Sequence, residues 1–151
     1  MRQQEEAVLA GTVTQECSAG CQFRRDPAQV SQARRLVRDT LAEWGLDGHI
    51  DHTMLISSEL VTNALRHGAG MITMRLYRAR HDLRIEVHDH GAGRPLRRHA
   101  GTGDESGRGL AVIDALISMY DGHLGCTDDA TGPGKTVYVV MPLIANGAGT
   151  G

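Results

Sequence analysis

Aromatic residues are scarce in this sequence, and their scarcity argues against one kind of nucleic-acid binding. Phe, Trp and Tyr make up only 3% of the 151 residues. Proteins that bind single strands stack the bases on several aromatic rings, and so few rings do not build such a platform. The 16 basic residues are balanced by 18 acidic ones, and the arginines are scattered along the chain. We therefore expect no direct nucleic-acid partner.

Long hydrophobic runs are also missing. Residues 1–6 are polar and lack the apolar centre of a signal peptide, and no later run is long enough to span a bilayer. The three cysteines, Cys17, Cys21 and Cys126, are an odd number and do not form the two pairs of a zinc site. We expect a soluble, cytoplasmic protein with reduced thiols and no membrane partner.

The length fits one domain that can bury a core without disulfides or a metal. Residues 1–19 show no sustained period, so we interpret them as an extension that is either mobile or adds a strand. The domain itself is predicted at 20–142, beginning with a short edge strand. A disordered tail is predicted at 143–151.

Two helices are predicted in the first half of the chain. Asp26 is placed to cap the first helix, Pro27 suits its first turn, and Gly45 is placed to end it. The second helix is predicted at about 49–67 and stops at Gly68. Its apolar stripe consists of Ile50, Met54, Leu60, Val61, Ala64 and Leu65.

Glu59 and Asn63 lie one turn apart on the second helix, away from its apolar stripe. Side chains four residues apart on a helix are neighbours, so one small ligand can contact both. The alternative is a solvated helix face that happens to carry a Glu and an Asn. The spacing alone favours that alternative, because such pairs are common on amphipathic helices.

Asp89 has an unexpected position at the end of a predicted hairpin. Residues alternate between apolar and polar from Met71 onward, and this alternation places Asp89 on the apolar side together with Val87. A carboxylate there is costly unless other groups donate hydrogen bonds to it. His88 and His90 fall on the opposite side, where two surface histidines are a better interpretation than a metal site.

Glycine-rich segments follow Asp89. Residues 91–95 allow a tight backbone that a ligand can approach closely, and 96–107 are interpreted as a loop or lid. A third helix is predicted at 110–120, directly after Gly107-Arg108-Gly109, where free backbone N–H groups favour an anion. Two last strands are predicted at 123–127 and 136–141.

The segment Gly134-Lys135-Thr136 suggests a P-loop, but two features argue against one. The first glycine of that motif would stand where the chain has Asp129. In addition, a P-loop opens a helix, whereas Thr136 is followed by the strand-like residues 137–141.

The order of these features resembles a known superfamily. The chain carries, in sequence, Glu59 with Asn63, then Asp89-x-Gly91-x-Gly93, then Gly107-x-Gly109, then Gly134-Lys135-Thr136. This order is similar to the sequence boxes of the GHKL ATPases, whose nucleotide site is the Bergerat fold. The forms Ser-Glu-Leu-Val-Thr-Asn-Ala-Leu-Arg-His-Gly and Ser-Gly-Arg-Gly-Leu resemble the anti-sigma-factor serine kinases. The resemblance covers about residues 22–142.

The resemblance implies a fold and a nucleotide. The expected fold is an α/β protein of the α+β two-layer sandwich type, with a mixed, mostly antiparallel sheet. Three helices cover one face, and ATP lies between the sheet and the helices under a lid. By resemblance, Asn63 coordinates Mg²⁺ on the phosphates. Asp89 accepts the adenine amino hydrogen, Gly91 and Gly93 let the backbone close on base and ribose, and Thr136 reaches adenine through water.

The resemblance also assigns residues to the phosphates and to catalysis. Gly107, Arg108, Gly109 and Leu110 form the phosphate-binding segment. Arg108 is the first choice for the charge beside the γ-phosphate, and Arg66 is the second. Glu59 is the expected general base, taking a proton from a serine hydroxyl or from water as the phosphoryl group leaves. His67 remains open, because an imidazole at a helix C-terminus is favourable without any ligand.

Three functions follow as hypotheses. The first is an ATP-dependent protein-serine kinase that phosphorylates an anti-sigma antagonist, forms a homodimer and sequesters a sigma factor. The second is a nucleotide-gated binding module with negligible turnover. The third, a detached histidine-kinase catalytic domain, is disfavoured because no dimerisation helix with a phosphoacceptor histidine precedes residue 20. The sequence departs from the family pattern in its Arg- and His-rich lid and in Lys135.

Overall fold

The computed structural model describes residues 15–92 and 105–143. These residues form five strands and three α-helices, with one short 3₁₀ turn before the second helix. In chain order they are β1 (Gln15–Phe23), α1 (Gln29–Glu43), the 3₁₀ turn (Asp47–His49), α2 (Ile50–His67), β2 (Ile72–Ala79), β3 (Asp82–Asp89), α3 (Glu105–Met119), β4 (His123–Asp128) and β5 (Lys135–Pro142).

The five strands form one sheet in the order β1-β2-β3-β5-β4. Each neighbouring pair in this sheet is antiparallel. The β2–β3 hairpin pairs Leu76 with Ile85, and the β3–β5 ladder pairs Asp89 with Lys135. The predicted two-layer sandwich of helices and a sheet is confirmed, with β3 at the centre of the sheet.

Alternation along the strands decides which side chains enter the core. Leu83, Ile85 and Val87 of β3 are buried, and the residues between them are half-buried. The helices supply the other half of the core with residues such as Val37 and Ile56. The parity that places Val87 inside also places Asp89 inside, as the sequence predicts.

The first helix begins later than predicted and ends as predicted. Asp26 Oδ1 accepts the Ala28 N–H at 3.0 Å, but the helix itself starts at Gln29. Gly45 has φ +74°, and the N–H of Leu46 reaches back to the Leu41 carbonyl at 2.8 Å. This bond and the glycine conformation form a Schellman ending, which any residue with a Cβ would strain.

The buried stripe of α2 is rotated from the predicted one. Its fully buried side chains include Thr53, Ile56 and Ser57, which the sequence analysis did not select. Met54 and Leu65 are only partly buried against the core. The prediction counted apolar residues alone, whereas the helix turns a face with two small hydroxyl side chains toward the sheet.

Two elements begin earlier in the chain than predicted. The third helix begins at Glu105 instead of Leu110, so the backbone of 107–109 is helical and does not lead into the helix as a loop. Two glycines lower helix propensity by only about 1 kcal/mol each, which the rest of the helix can offset. At the other end of the chain, β1 begins at Gln15, so residues 15–19 of the predicted extension add to the first strand.

Candidate functional site

Asp89 lies at the end of β3, where the central strand meets the turn after α2. It is 1% exposed, and its Oδ1 accepts N–H groups from Gly91 at 2.7 Å and from Ala69 at 3.3 Å. Among the described residues, its Oδ2 accepts no hydrogen bond. The buried carboxylate is therefore anchored through one oxygen, and the second oxygen is left to accept from a ligand.

Lys135 is the residue that the sequence analysis missed. Its Nζ donates to Asp89 Oδ1 at 2.9 Å and to the Gly91 carbonyl at 3.4 Å, and the side chain is 2% exposed. A signal was available, because Lys135 has the same strand parity as the core residues Val137 and Val139. Strand alternation therefore indicates a buried side chain at Lys135, as it does at Asp89.

Two glycines make room for the Asp89 carboxylate. A Cβ at Gly68 would lie 2.4 Å from Asp89 Cγ, and a Cβ at Gly91 would lie 3.0 Å from Asp89 Oδ1. The backbone of this turn is also tied to β3, because the His90 N–H donates to the Ala69 carbonyl at 2.7 Å. The end of α2 and the end of β3 therefore pack together around one carboxylate.

Asn63 and Glu59 line the flank of α2 next to its buried face. Asn63 is 9% exposed, and its carboxamide makes no hydrogen bond within the described residues. Glu59 is half-buried, and it forms no ion pair with any basic side chain of residues 15–92 or 105–143. The carboxamide atoms are not among the fully buried side-chain atoms that lack a partner, so they remain accessible to a ligand. Asn63 lies about 7.5 Å along the helix from Gly68.

Arg25 fixes the C-terminal end of α2. Its guanidinium donates to the Ala64 carbonyl at 2.9 Å, to the Gly70 carbonyl at 3.4 Å and to the Leu65 carbonyl. The last carbonyls of a helix lack intrahelical partners, and a cation satisfies them and the negative end of the helix dipole. The chain between β1 and α1 thus holds in place the helix end that packs on Asp89.

Thr136 does not lie beside Asp89. Because β5 alternates, its side chain lies on the other face of the sheet, with Thr73, Arg75, Glu86 and His88 around a cavity of about 240 Å³. Ligand pockets are typically ~300–1,000 Å³, so this cavity is small for a nucleotide. The predicted water-mediated contact of Thr136 with adenine does not fit this position.

The phosphate-binding residues are only partly covered. Gly107, Arg108, Gly109 and Leu110 lie in the first half of α3. The first four N–H groups of a helix have no intrahelical partner, so Gly107 and Arg108 can still present theirs to an anion. Gly93 and most of the predicted lid lie outside the described residues. Arg66 is exposed near the end of α2.

His88 in β3 and His90 directly after it contact an aspartate and each other. His88 Nε2 lies 3.0 Å from Asp129 Oδ2, and its ring makes an edge contact with His90 at 5.0 Å between centroids. Within 15–92 and 105–143 no group of three His, Cys, Asp or Glu side chains could hold a metal ion. Nor does any helix in these ranges have the length and apolar character needed to cross a membrane.

A five-stranded antiparallel sheet with three helices on one face, and a buried aspartate at the end of its central strand, define the class of this protein. A family model described as "Histidine kinase-like ATPase domain" matches residues 23–139. The match covers most of the chain. The chain therefore belongs to the histidine kinase-like ATPase domain family, which confirms the superfamily named by resemblance.

Two relatives come from Mycobacterium tuberculosis. The sensor histidine kinase component HK1 and a probable sensor histidine kinase HK are each 30% identical over 104 residues. The alignments cover 61% of this chain, and they cover 61% and 27% of the two relatives. The chain thus spans less than two thirds of either relative.

Solved structures show the same fold at low sequence identity. Full-length ShkA in complex with AMPPNP has a TM-score of 0.55 and 18% identity, over 91% of this chain and 34% of that one. The Acinetobacter baumannii histidine kinase AdeS has a TM-score of 0.52 and 15% identity, over 94% and 75% of the two chains.

Proposed function

We propose that the protein binds ATP between α2 and the Asp89 end of the sheet. The observation that carries this proposal is a pair of polar groups on two adjoining elements that can still form hydrogen bonds with a ligand. Within the part of the chain that the structure describes, Oδ2 of Asp89 and the carboxamide of the 9% exposed Asn63 accept or donate no hydrogen bond. Membership of an ATPase domain family supports the proposal, and so does the AMPPNP bound by the structurally similar ShkA.

Asn63 fits a magnesium ion on the phosphates. Mg²⁺ prefers oxygen ligands and usually keeps only one or two from the protein, with phosphates and water completing its shell. The single carboxamide oxygen of Asn63 meets that requirement. When bound, the ion would neutralise phosphate charge and polarise the terminal phosphoryl group.

Glu59 is the proposed general base, one turn before Asn63. The carboxylate takes the proton of an attacking hydroxyl, the new O–P bond forms on the γ-phosphorus, and the bond to the leaving ADP breaks. The half-buried Glu59 carboxylate, which pairs with no basic side chain of 15–92 or 105–143, is available for this proton. The acceptor that we propose is a serine of an anti-sigma antagonist protein, as the sequence form around Glu59 suggests. By resemblance, the partners include this antagonist, a sigma factor and a second copy of the chain.

Binding is tested with Asn63→Ala. The variant should lose magnesium-dependent ATP affinity by at least about 10-fold in isothermal titration, because it removes an interaction with a charged group. Thr62→Ala, on the outer side of the same helix, is the matched control and should bind like the original chain. An Asn63→Ala variant with unchanged affinity would contradict the proposed site.

Transfer is tested with Glu59→Gln, which keeps the size of the side chain and removes the base. The variant should bind Mg-ATP normally and phosphorylate the antagonist about 10²–10⁴-fold more slowly. Radiolabelled product should survive acid, as phosphoserine does. Acid-labile label would instead indicate a phosphohistidine, as the sensor histidine kinase relatives lead one to consider.

The second candidate is a binding module in which ATP changes the partner surface without turnover. Glu59 favours neither candidate, since both retain the nucleotide site. ATP-dependent capture of the antagonist without any labelled product would favour the module over the kinase.

A further inference from the structure

The single lysine of this chain, Lys135, is buried against Asp89, the aspartate that is proposed to bind adenine. Lys135 is the only lysine among the 16 basic residues; the other 15 are arginines. Its side chain is 2% exposed and that of Asp89 is 1% exposed, with 2.9 Å between Nζ and Oδ1. Buried ion pairs are seldom retained for stability, because desolvation offsets much of their attraction. A role in ligand binding explains the presence of this buried ion pair better than a role in stability does.

Each member of the pair has one hydrogen-bonding position left. An ammonium has three N–H donors, and those of Lys135 reach Asp89 Oδ1 and the Gly91 carbonyl. Among the described residues, the third finds no acceptor. Asp89 Oδ1 is shared by Gly91, Ala69 and Lys135, while Oδ2 accepts nothing within the same ranges. The pair therefore presents one acceptor and one donor side by side.

The ladder between β3 and β5 holds this donor and acceptor in register. Asp89 and Lys135 are direct partners across the two strands, so their side chains leave the same face of the sheet at the same level. Gly68 and Gly91 provide the space that the carboxylate occupies, since a Cβ on either would contact it. The spacing of donor and acceptor is thus fixed by backbone and packing.

We propose that Lys135 is a specificity-determining residue that reads the purine base directly, together with Asp89; this inference rests on the proposed ATP binding. Asp89 Oδ2 accepts the exocyclic amino hydrogen of adenine, and Lys135 Nζ donates to the adjacent ring nitrogen N1. Guanine and hypoxanthine carry a carbonyl oxygen and an N1–H at these positions. In the same pose they would set acceptor against acceptor and donor against donor.

The direct test compares ATP with 1-deaza-ATP, whose base has a carbon in place of N1, on the unaltered chain. We expect 1-deaza-ATP to bind about 10–100-fold more weakly, because a hydrogen bond from a charged donor is lost. ITP carries a carbonyl oxygen in place of the amino group and an N1–H in place of the bare N1. It should therefore bind more weakly still. Equal affinity for ATP and 1-deaza-ATP would overturn the role of Lys135 and leave ATP binding intact. Failure of both nucleotides to bind would overturn the proposed function and this inference together.

A variant of Lys135 tests the same contact from the side of the protein. Lys135→Met should bind ATP about 10–100-fold more weakly and should no longer distinguish ATP from 1-deaza-ATP, because the donor is gone. Thr73→Val, on the other face of the sheet, is the matched control and should keep the original preference. A Lys135→Met variant that is folded by circular dichroism and still prefers ATP over 1-deaza-ATP would overturn the proposal.

The single lysine provides a readout that needs no variant. Selective ¹⁵N labelling of lysine side chains gives one Nζ resonance in this chain, which belongs to Lys135. ATP should shift this resonance, and 1-deaza-ATP at a saturating concentration should shift it much less. Identical shifts with both nucleotides would show that Nζ does not contact N1 and would contradict the inference.

Discussion

At the scale of single residues, parity and small side chains decide how the site is built. Asp89 was identified from strand alternation alone, and its burial is confirmed at 1% exposure. The same alternation would have selected Lys135 and rejected Thr136, but the family pattern drew attention to the threonine. The partnership of Asp89 with Lys135 was not predictable, because it depends on the register between two strands 46 residues apart.

Gly68→Ala tests the packing around Asp89. The added Cβ would lie 2.4 Å from Asp89 Cγ, so either the carboxylate or the helix end must move. We expect a loss of about 1–3 kcal/mol in the free energy of unfolding, as for other overpacked sites. ATP affinity should fall as well.

Gly48→Ala is the control for this change, because its added Cβ meets no more distant part of the described chain within 4 Å. Urea unfolding of both variants gives the comparison. Equal stability of the two would show that the close approach of Gly68 to Asp89 is not a constraint.

His49 gives the fold a pH dependence. It is 2% exposed, and burial, with a smaller effect of the charge on His52, lowers the pKa of His49 below its ordinary 6.5. The unfolded chain therefore takes up a proton at a higher pH than the folded one. The unfolding free energy should fall as pH drops below about 6.5, by up to about 1.4 kcal/mol per pH unit, until the lowered pKa is reached.

Urea unfolding at pH 7.5 and 5.5 checks this expectation. The original chain should lose more stability between the two pH values than His49→Leu, in which the titrating group is absent. The same loss in both proteins would assign the pH dependence to other groups.

At the scale of elements, the boundaries of helices were predictable from the sequence where local signals were strong. Gly45 ends α1 and Gly68 ends α2 as the sequence indicates. The start of α3 was misplaced by five residues, since glycines suggested a loop where the backbone is helical. The anchoring of α2 by Arg25 had no sequence signal, because its acceptors lie about 40 residues away.

Arg25→Met tests that anchoring at the end of α2. The variant keeps an extended side chain but loses the donors to the Ala64 and Leu65 carbonyls. We expect the free energy of unfolding to fall by about 1–2 kcal/mol. Arg24→Met is the matched control, because the neighbouring exposed side chain makes no hydrogen bond within the described residues. If both variants unfold alike, Arg25 does not support the helix end.

At the scale of the whole molecule, the architecture brings Asp89, Lys135 and the end of α2 together. Strand order and antiparallel pairing bring the end of β3 beside the start of β5 and below the end of α2. The fold was predictable from the order of motifs. The contact between Asp89 and Lys135 was not predictable from the sequence, because it forms only when β3 and β5 pair.

The most direct test of the account is a titration of the ¹⁵N-labelled chain with Mg-ATP, followed by NMR. The account predicts the largest shifts at the Asn63 side-chain amide and at the backbone amides of Ala69 and Gly91. The amides of Thr73 and Glu86, which lie at the cavity on the other face, should move little. Shifts concentrated at Thr73 and Glu86, or no saturable shifts at all, would contradict a nucleotide site between α2 and the sheet.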